Sequence, residues 1–350
     1  MTAHHRIPGP DQPICDTPLR IVHLSDIHFW RIEIGPRDLF SKRIVGSVSL
    51  LLGRARAFKL DRLPAVIERV LSLQPDHVVI SGDLTTTASE REFQDARAGL
   101  APLLEDPRRA TIVPGNHDRY TGEAQRSRRF EEYFGEFTGG PEFPWLKHLD
   151  HQTAILGLDP TRADLTARGH LPESQIVAAH HLLGGQLTPD PDGSGEVHVG
   201  VPPHKPRRLI VLCHYPLTAP PIYLLELHPK RLTNAWVLGE WLRLLGPHLY
   251  CCGHIHAAWA FRPLDLPEQL CLNAGAPLMH DPRGFRSPGF LEILLDGDSV
   301  SVVHHCWRRK QKTWDALPLI DVADFFAEAH PGAGRPMDSQ IQLSRRGPSL

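Results

Sequence analysis

Short apolar, β-branched runs alternate with stretches of helical period along this chain. The runs at 19–24, 77–80, 111–113, 153–158, 209–213, 249–252, 269–272, 290–295 and 299–303 predict strands. Most are continuous rather than alternating, the pattern of strands buried on both faces. Over residues 60–73, Leu63, Val66, Ile67, Val70 and Leu71 recur at helical spacing. Ser89-Glu90-Arg91-Glu92 reads as a capping box opening the next helix, with Phe93, Ala96 and Leu100 along one face. Further helices are predicted over 172–183 and 232–245. Strands alternating with helices predict an α/β layered domain.

The ends read differently. Residues 1–18 are polar and Pro-rich, a flexible lead-in, and 331–350 have the composition of a flexible tail. A single catalytic domain is expected over 19–315, followed by a C-terminal extension over 316–350. The Pro/Gly-rich stretch 188–206 reads as a surface insertion, because motifs of one site lie on both sides of it.

Composition narrows the class only slightly. Of 350 residues, 41% are hydrophobic and 22% charged, as in ordinary globular proteins, so wholesale disorder is excluded. A net charge of -2 supplies no general drive toward nucleic acid. The cysteines 15, 213, 251, 252, 271 and 306 contain no CxxC pair and make no disulfide scaffold. No run approaches the ~20 apolar residues of a membrane span, and the N-terminus lacks an apolar signal core, so a cytoplasmic location is expected. The 22 histidines outnumber the 5 Tyr and 7 Trp together, which directs the search to metal or acid–base chemistry.

That chemistry lies at the ends of the predicted strands. The first run leads into Ser25-Asp26-Ile27-His28 and the second into Ser81-Gly82-Asp83. The third leads into Pro114-Gly115-Asn116-His117-Asp118. The runs at 209–213 and 249–252 lead into His214 and Gly253-His254-Ile255-His256. Open α/β sheets place their sites at such C-terminal strand ends. Carboxylate, carboxamide and imidazole ligands without thiolate suit Mn, Fe or Zn. In extended chain Asp26 and His28 would share a face, whereas a turn at Gly253 would aim His254 and His256 at different ions. Asp83 can bridge two cations through its two oxygens, and cations ~3.5–4 Å apart can hold a shared hydroxide and a phosphate.

The series D-x-H, G-D, G-N-H-D, H, G-H-x-H, from Asp26 to His256, resembles the signature of the calcineurin-like metallophosphoesterases, in that family's order. The resemblance implies a four-layer α/β/β/α sandwich with two mixed β-sheets. It implies Asp26, His28, Asp83 and His256 as ligands of one metal, and Asp83, Asn116, His214 and His254 as ligands of the other. His117 would be the general acid, Asp118 would orient it, and a metal-bridging hydroxide would be the nucleophile.

Departures sort the subfamilies. Gly82-Asp83-Leu84-Thr85-Thr86-Thr87 lacks the second Asp and the Arg of the protein Ser/Thr phosphatases, and His117 stands where UDP-diacylglucosamine pyrophosphatases carry Arg. Ser25–His28, Ser81–Thr85, Pro114–Asp118 and Gly169–Gln175 are similar to the bacterial class III cyclic-nucleotide phosphodiesterases, from which the extra residues near 31–58 and 188–206 depart. A dimetal phosphodiesterase acting on cyclic nucleotides or similar small phosphodiesters is therefore expected. The alternatives are a phosphomonoesterase or pyrophosphatase on a nucleotide or lipid-linked substrate, and a non-catalytic scaffold, which would have lost ligands that are all present here.

Other features stay outside the motifs. His4-His5, His180-His181 and His304-His305 read as surface or packing residues, and His23 as pointing away from Asp26. His280 is a candidate on the substrate side; Arg119 reaches a phosphate or is solvated. Residues 40–60 flank an apolar centre with Lys42, Arg43, Arg54, Arg56 and Lys59. This stretch reads either as a helix over the site mouth or as a peripheral contact with an anionic membrane.

Overall fold

The computed structural model describes residues 17–31, 57–163, 166–189, 197–281, 284–327 and 341–343. Two six-stranded mixed sheets form the body of the molecule. The first runs β14 (Thr313–Val322), β13 (Ser299–Arg308), β12 (Gly289–Asp296), β1 (Leu19–Leu24), β2 (His77–Ile80), β3 (Ala110–Ile112). The second runs β10 (Ala258–Phe261), β11 (Gln269–Ala274), β9 (His248–Cys252), β8 (Arg208–Leu212), β5 (Thr153–Gly157), β4 (Trp145–His148). In the first sheet β1, β2 and β3 are parallel, and in the second β5, β8, β9 and β11 are parallel.

Alternation along these strands builds the layers. Val22 and Leu24 of β1 and Val78 and Ile80 of β2 pack with Val66 and Val70 of helix α1 (Leu63–Ser72) and Phe93 and Ala96 of helix α2 (Glu90–Gly99). Their neighbours Ile21 and Val79 turn the other way, into a core shared with Ile210, Leu212, Leu249 and Cys251 of the second sheet. Leu209, Val211, Tyr250 and Cys252 then face Ile176 of the helix at Glu173–Leu182 and Val237, Leu238 and Trp241 of the helix at Ala235–Arg243. Side chains on both faces of each central strand are thus buried, which is why the strands read as continuous apolar runs. The result is the four-layer α/β/β/α sandwich with two mixed sheets.

The predicted helices form with boundaries trimmed by a few residues. The capping box is present: the Ser89 hydroxyl accepts from the Glu92 amide at 3.2 Å, and Glu92 Oε2 accepts from the Ser89 amide at 3.3 Å. In the two main sheets three strands escape the sequence pattern: β4, β10 and β14. All are outer strands, where half-exposed side chains break the apolar run. Strand β14 carries Pro318 beside an irregularity at Val302/Val303, which an edge tolerates because the missing N–H faces away from the ladder. The sheet therefore continues past residue 315, and Phe325 and Phe326 close the core between the sheets. Around the insertion at 188–206, β6 (Leu187–Pro189) and β7 (Val197–Val199) pair, and β15 (Ile341–Leu343) adds to β7. Residues 1–16 of the lead-in, most of the tail and 32–56, which include nearly all of the basic apolar stretch at 40–60, lie outside the described residues.

Candidate metal centre

The loops after β1, β2 and β3 leave one sheet and those after β8 and β9 leave the other, and they meet. The loop after β1 continues the parallel pairing: the amides of Asp26, His28 and Phe29 donate to the carbonyls of Gly82, Asp83 and Leu84 at 3.0, 3.0 and 2.7 Å. Across the gap the Gly253 amide donates to the His214 carbonyl at 3.0 Å, and the His254 amide donates to Asp26 Oδ2 at 2.9 Å. Asp26, His28, Asp83 and His254 all have left-handed backbones, with φ of 51, 53, 54 and 70°. Such conformations cost energy in non-glycine residues and gather at functional sites. They correct the extended-chain expectation: Asp26 and His28 converge through two left-handed residues, not through strand alternation. The turn that separates His254 from His256 likewise lies at His254. Gly253 supplies space instead, since a Cβ there would stand 1.8 Å from Ser25 Oγ and 2.6 Å from Asp26 Oδ2.

Backbone carbonyls fix the imidazoles. A carbonyl can only accept, so the ring nitrogen facing it carries the proton. His28 Nδ1 donates to Thr85 O at 3.2 Å, His214 Nδ1 to Ser81 O at 2.7 Å and His254 Nε2 to Lys230 O at 2.8 Å. The other nitrogen of each ring is the one that can offer a lone pair to a cation. His28 Nε2 lies 3.3 Å from His256 Nε2, 3.8 Å from Asp26 Oδ1 and 3.7 Å from Asp83 Oδ2. His256 Nε2 is 3.3 Å from Asp26 Oδ1. His214 Nε2 is 3.4 Å from Asp83 Oδ2 and 3.2 Å from Asn116 Oδ1. Imidazole nitrogens and carboxylate oxygens thus crowd together at the meeting point of the two sheets.

Two ligand groups result: Asp26, His28, Asp83 and His256, and Asp83, His214 and His254, each with its ligand atoms within 4.8 Å of one another. Asn116 joins the second. Six of the seven residues are buried, and His256 is the most open, with a side chain 19% exposed. Two cations sharing Asp83 fit this donor set, and its N/O composition suits first-row divalent ions. Burial would raise the Asp83 carboxyl, but the His214 and His117 rings hold it well below the usual range. Burial would lower His214, but Asp83 and Asp26 push it up to about 9.

His117 stands beside this centre, its ring 5.0 Å from that of His28 and stacked on Tyr120 at 5.6 Å. Its Nδ1 donates to Thr86 O at 2.7 Å, which fixes the orientation of the ring and the nitrogen that bears its proton. Asp118 does not hold that ring. Its Oδ2 accepts from the Gly115 and Leu84 amides at 2.9 and 3.2 Å, and its Oδ1 from the Thr85 amide and hydroxyl at 2.9 and 3.0 Å. It therefore staples the loop after β3 to the loop after β2, and the carbonyl of Thr86 is what orients His117. Burial and the neighbouring Asp83 push the Asp118 carboxyl up to about 6 despite these amides.

Arg119 is neither solvated nor free for phosphate. It is buried, its Nη1 and Nη2 donate to Glu131 at 2.9 and 2.6 Å, and Nη2 also donates to Asp159 at 3.0 Å. His23 lies between the sheets with Nε2 2.9 Å from Ser81 Oγ, and burial drives its pKa down to about 3. His180, His304 and His305 are buried packing residues and His181 is exposed. His280 Nε2 accepts from Arg309 Nη1 at 3.0 Å. The carbonyls of Ser81, Thr85, Thr86 and Lys230 carry no sequence signal, and neither does Phe58, whose ring packs 4.4 Å from His28 and 5.5 Å from His256.

Comparison with known proteins agrees with this geometry. A family model described as calcineurin-like phosphoesterase matches residues 19–258. A dimetal phosphatase from Danio rerio has a similar structure, at 13% identity and a TM-score of 0.51, covering 86% of this chain and 99% of its own. A purple acid phosphatase from yellow lupin seeds, at 14% identity and a TM-score of 0.50, covers 87% of this chain and 54% of its own. At such identities the likeness is one of fold. No curated protein matches the chain.

Proposed function

Given that the chain belongs to the calcineurin-like phosphoesterase family and is a metal-dependent phosphoester hydrolase, we propose that it is a phosphodiesterase, with cyclic nucleotides or similar small phosphodiesters as its substrates. The observation that carries the reading is the state of Arg119. A phosphomonoester brings about two negative charges and is usually met by guanidinium forks. The arginine next to His117 is bound to Glu131 and Asp159 instead. A diester brings one charge, which a bound metal pair can meet without it.

Bound at the two ligand groups, divalent metal ions would supply Lewis acidity to the phosphate and to water. The chain does the rest. Asp83 and Asp26 would offset part of the ions' charge. The carbonyls of Thr85, Ser81 and Lys230 fix which nitrogen of His28, His214 and His254 faces inward. His117, oriented by Thr86 O, presents Nε2 to protonate a leaving oxygen. Mn, Fe and Zn all suit the ligands.

The test is a screen of purified protein with Mn2+ against bis-p-nitrophenyl phosphate, p-nitrophenyl phosphate, 2′,3′- and 3′,5′-cyclic nucleotides and nucleoside diphosphate esters, with elemental analysis alongside. The expected result is two metals per chain and diester turnover above monoester turnover by about tenfold or more. Preference for the monoester or the pyrophosphate would overturn the proposal.

A further inference from the structure

Beside the metal centre the chain displays apolar side chains to water. Ile222 is 81% exposed, Leu225 91% and Phe285 79%. Ile222 belongs to the 3-10 turn Pro221–Tyr223 and Leu225 to the helical turn Leu224–Leu227 that follows. Three residues apart in helical geometry, they project from one side. The opposite side of this turn is anchored: Tyr223 stacks on Trp259 at 5.3 Å, and Leu227 is buried. Just beyond, the Lys230 carbonyl accepts from the metal-centre residue His254. Arg286 is ion-paired with Glu226, so Phe285, the residue before it, stands on the same rim.

Cations stand on this segment and against it. Lys230 Nζ pairs with Glu226 at 3.0 Å, Arg168 Nε donates to Pro229 O at 3.0 Å, and Arg231 Nη1 donates to His228 O at 2.9 Å. With Arg286 they outnumber the acids of these segments, Glu226 and Asp281. Both acids are engaged, Asp281 by the Arg286 amide at 3.0 Å. A protein interface needs a broad, complementary area with a buried centre. Isolated apolar tips inside a girdle of Lys and Arg instead match a surface that enters the headgroup boundary of an anionic bilayer. The net charge of -2 supplies no overall attraction, so this local girdle would have to provide it.

We propose that this rim docks onto anionic lipid bilayers, with Ile222, Leu225 and Phe285 inserted below the headgroups and Arg168, Lys230, Arg231 and Arg286 level with the phosphates. Docking turns the metal centre toward the membrane surface. Its readout is binding, so it stands or falls independently of the substrate proposed above.

The full chain is sedimented with vesicles of phosphatidylcholine alone and of phosphatidylcholine mixed equally with phosphatidylglycerol. Binding is expected to the mixed vesicles and to weaken with salt. Ile222→Ser with Leu225→Ser should lower it at least about tenfold, whereas Leu225→Phe should retain it. Both substituted positions are exposed, so the melting temperature and metal content should not change. Leu264→Ser, equally exposed but next to Asp265 at the far end of the helix Ala235–Arg243, should bind as wild type. Three outcomes would overturn the proposal: no sedimentation above a vesicle-free control; undiminished binding by the double variant; or self-association that the double variant abolishes while vesicles leave it untouched, which would make a second copy of the chain the occupant.

Discussion

Replacing Gly115 with Ala should break the metal centre while leaving most of the fold in place. Gly115 does not have a left-handed backbone, so what its glycine provides is missing volume. A Cβ there would lie 2.1 Å from Asp83 Oδ1 and 2.2 Å from the Asp83 amide nitrogen. Ordinary van der Waals contact needs roughly 3.5 Å, so the two loops must part by more than about 1 Å. Because the amide is backbone, rotating the carboxylate away does not relieve the clash. The same opening pulls on bonds between the two loops, from the His117 amide to Asp83 Oδ1 at 2.8 Å and from the Thr85 amide to Asp118 Oδ1 at 2.9 Å. Ligand distances tolerate about 0.2 Å, and a misplacement of about 1 Å at a reacting centre costs on the order of 100-fold in rate. Local overpacking costs about 1–3 kcal/mol of stability. The assay combines metal stoichiometry by elemental analysis, a Mn2+ titration followed by calorimetry, and turnover of an aryl phosphodiester, with circular dichroism to report the fold. Expected are a native spectrum, loss of at least one metal and a rate down about 100-fold. Two tightly held metals and a wild-type rate would show that Asp83 is not the shared ligand.

Further outcomes follow from the same geometry. Asp83→Asn, which keeps the shape but removes the shared charge, should abolish turnover and lower the affinity for both metals; unchanged turnover of an aryl phosphodiester would refute the dimetal centre. His117→Ala should slow esters with poor leaving groups more than those with good ones, by about 100-fold against a few-fold; equal losses would remove its acid role. Stability should also fall on the acid side. Burial lowers His77 to about 3, and His248 and His304 to about 4, from 6.5. These groups are neutral in the fold and charged when unfolded, so their contribution is full above pH 6.5 and is lost as pH falls toward 4. By about pH 5 the loss is roughly 2 kcal/mol for each histidine. Glu92 and Asp118, whose buried carboxyls are shifted up, oppose this but are fewer than the histidines. Urea midpoints in EDTA at about pH 7.5 and 5 measure the difference, and equal midpoints would contradict it.

The parts of the molecule that the sequence discloses are those where local chemistry and tertiary role coincide. Central strands are buried on both faces, so they stand out as apolar runs, and their polar ends stand out by contrast. Ser89 and Glu92 form the capping box that their spacing encodes. Edge strands such as β14 lack that contrast, because one side of each is wet. The left-handed turns at Asp26, His28 and His254 escape notice because no glycine marks them, and the surrounding loops impose them. The role of Asp118 escapes the sequence for a related reason. Its neighbour in sequence is His117, but its partners are amides contributed by two different loops, and adjacency in sequence says nothing of that. Arg119 illustrates the same limit, since Glu131 and Asp159 reach it only after α/β packing has brought them together.

The convergence of loops from two separate sheets also bears on how the chain assembles. His28 and His256 approach within 3.3 Å although 228 residues separate them. Contacts this distant form only after each sheet has paired and the two have closed on their common core. The metal site is therefore a late event in folding, and a cation captured there acts as a clasp between halves that already cohere without it. Ligation of that kind slows opening more than it speeds closing. Removal of the ions should accordingly shorten the lifetime of the closed sandwich while the refolding rate stays nearly the same.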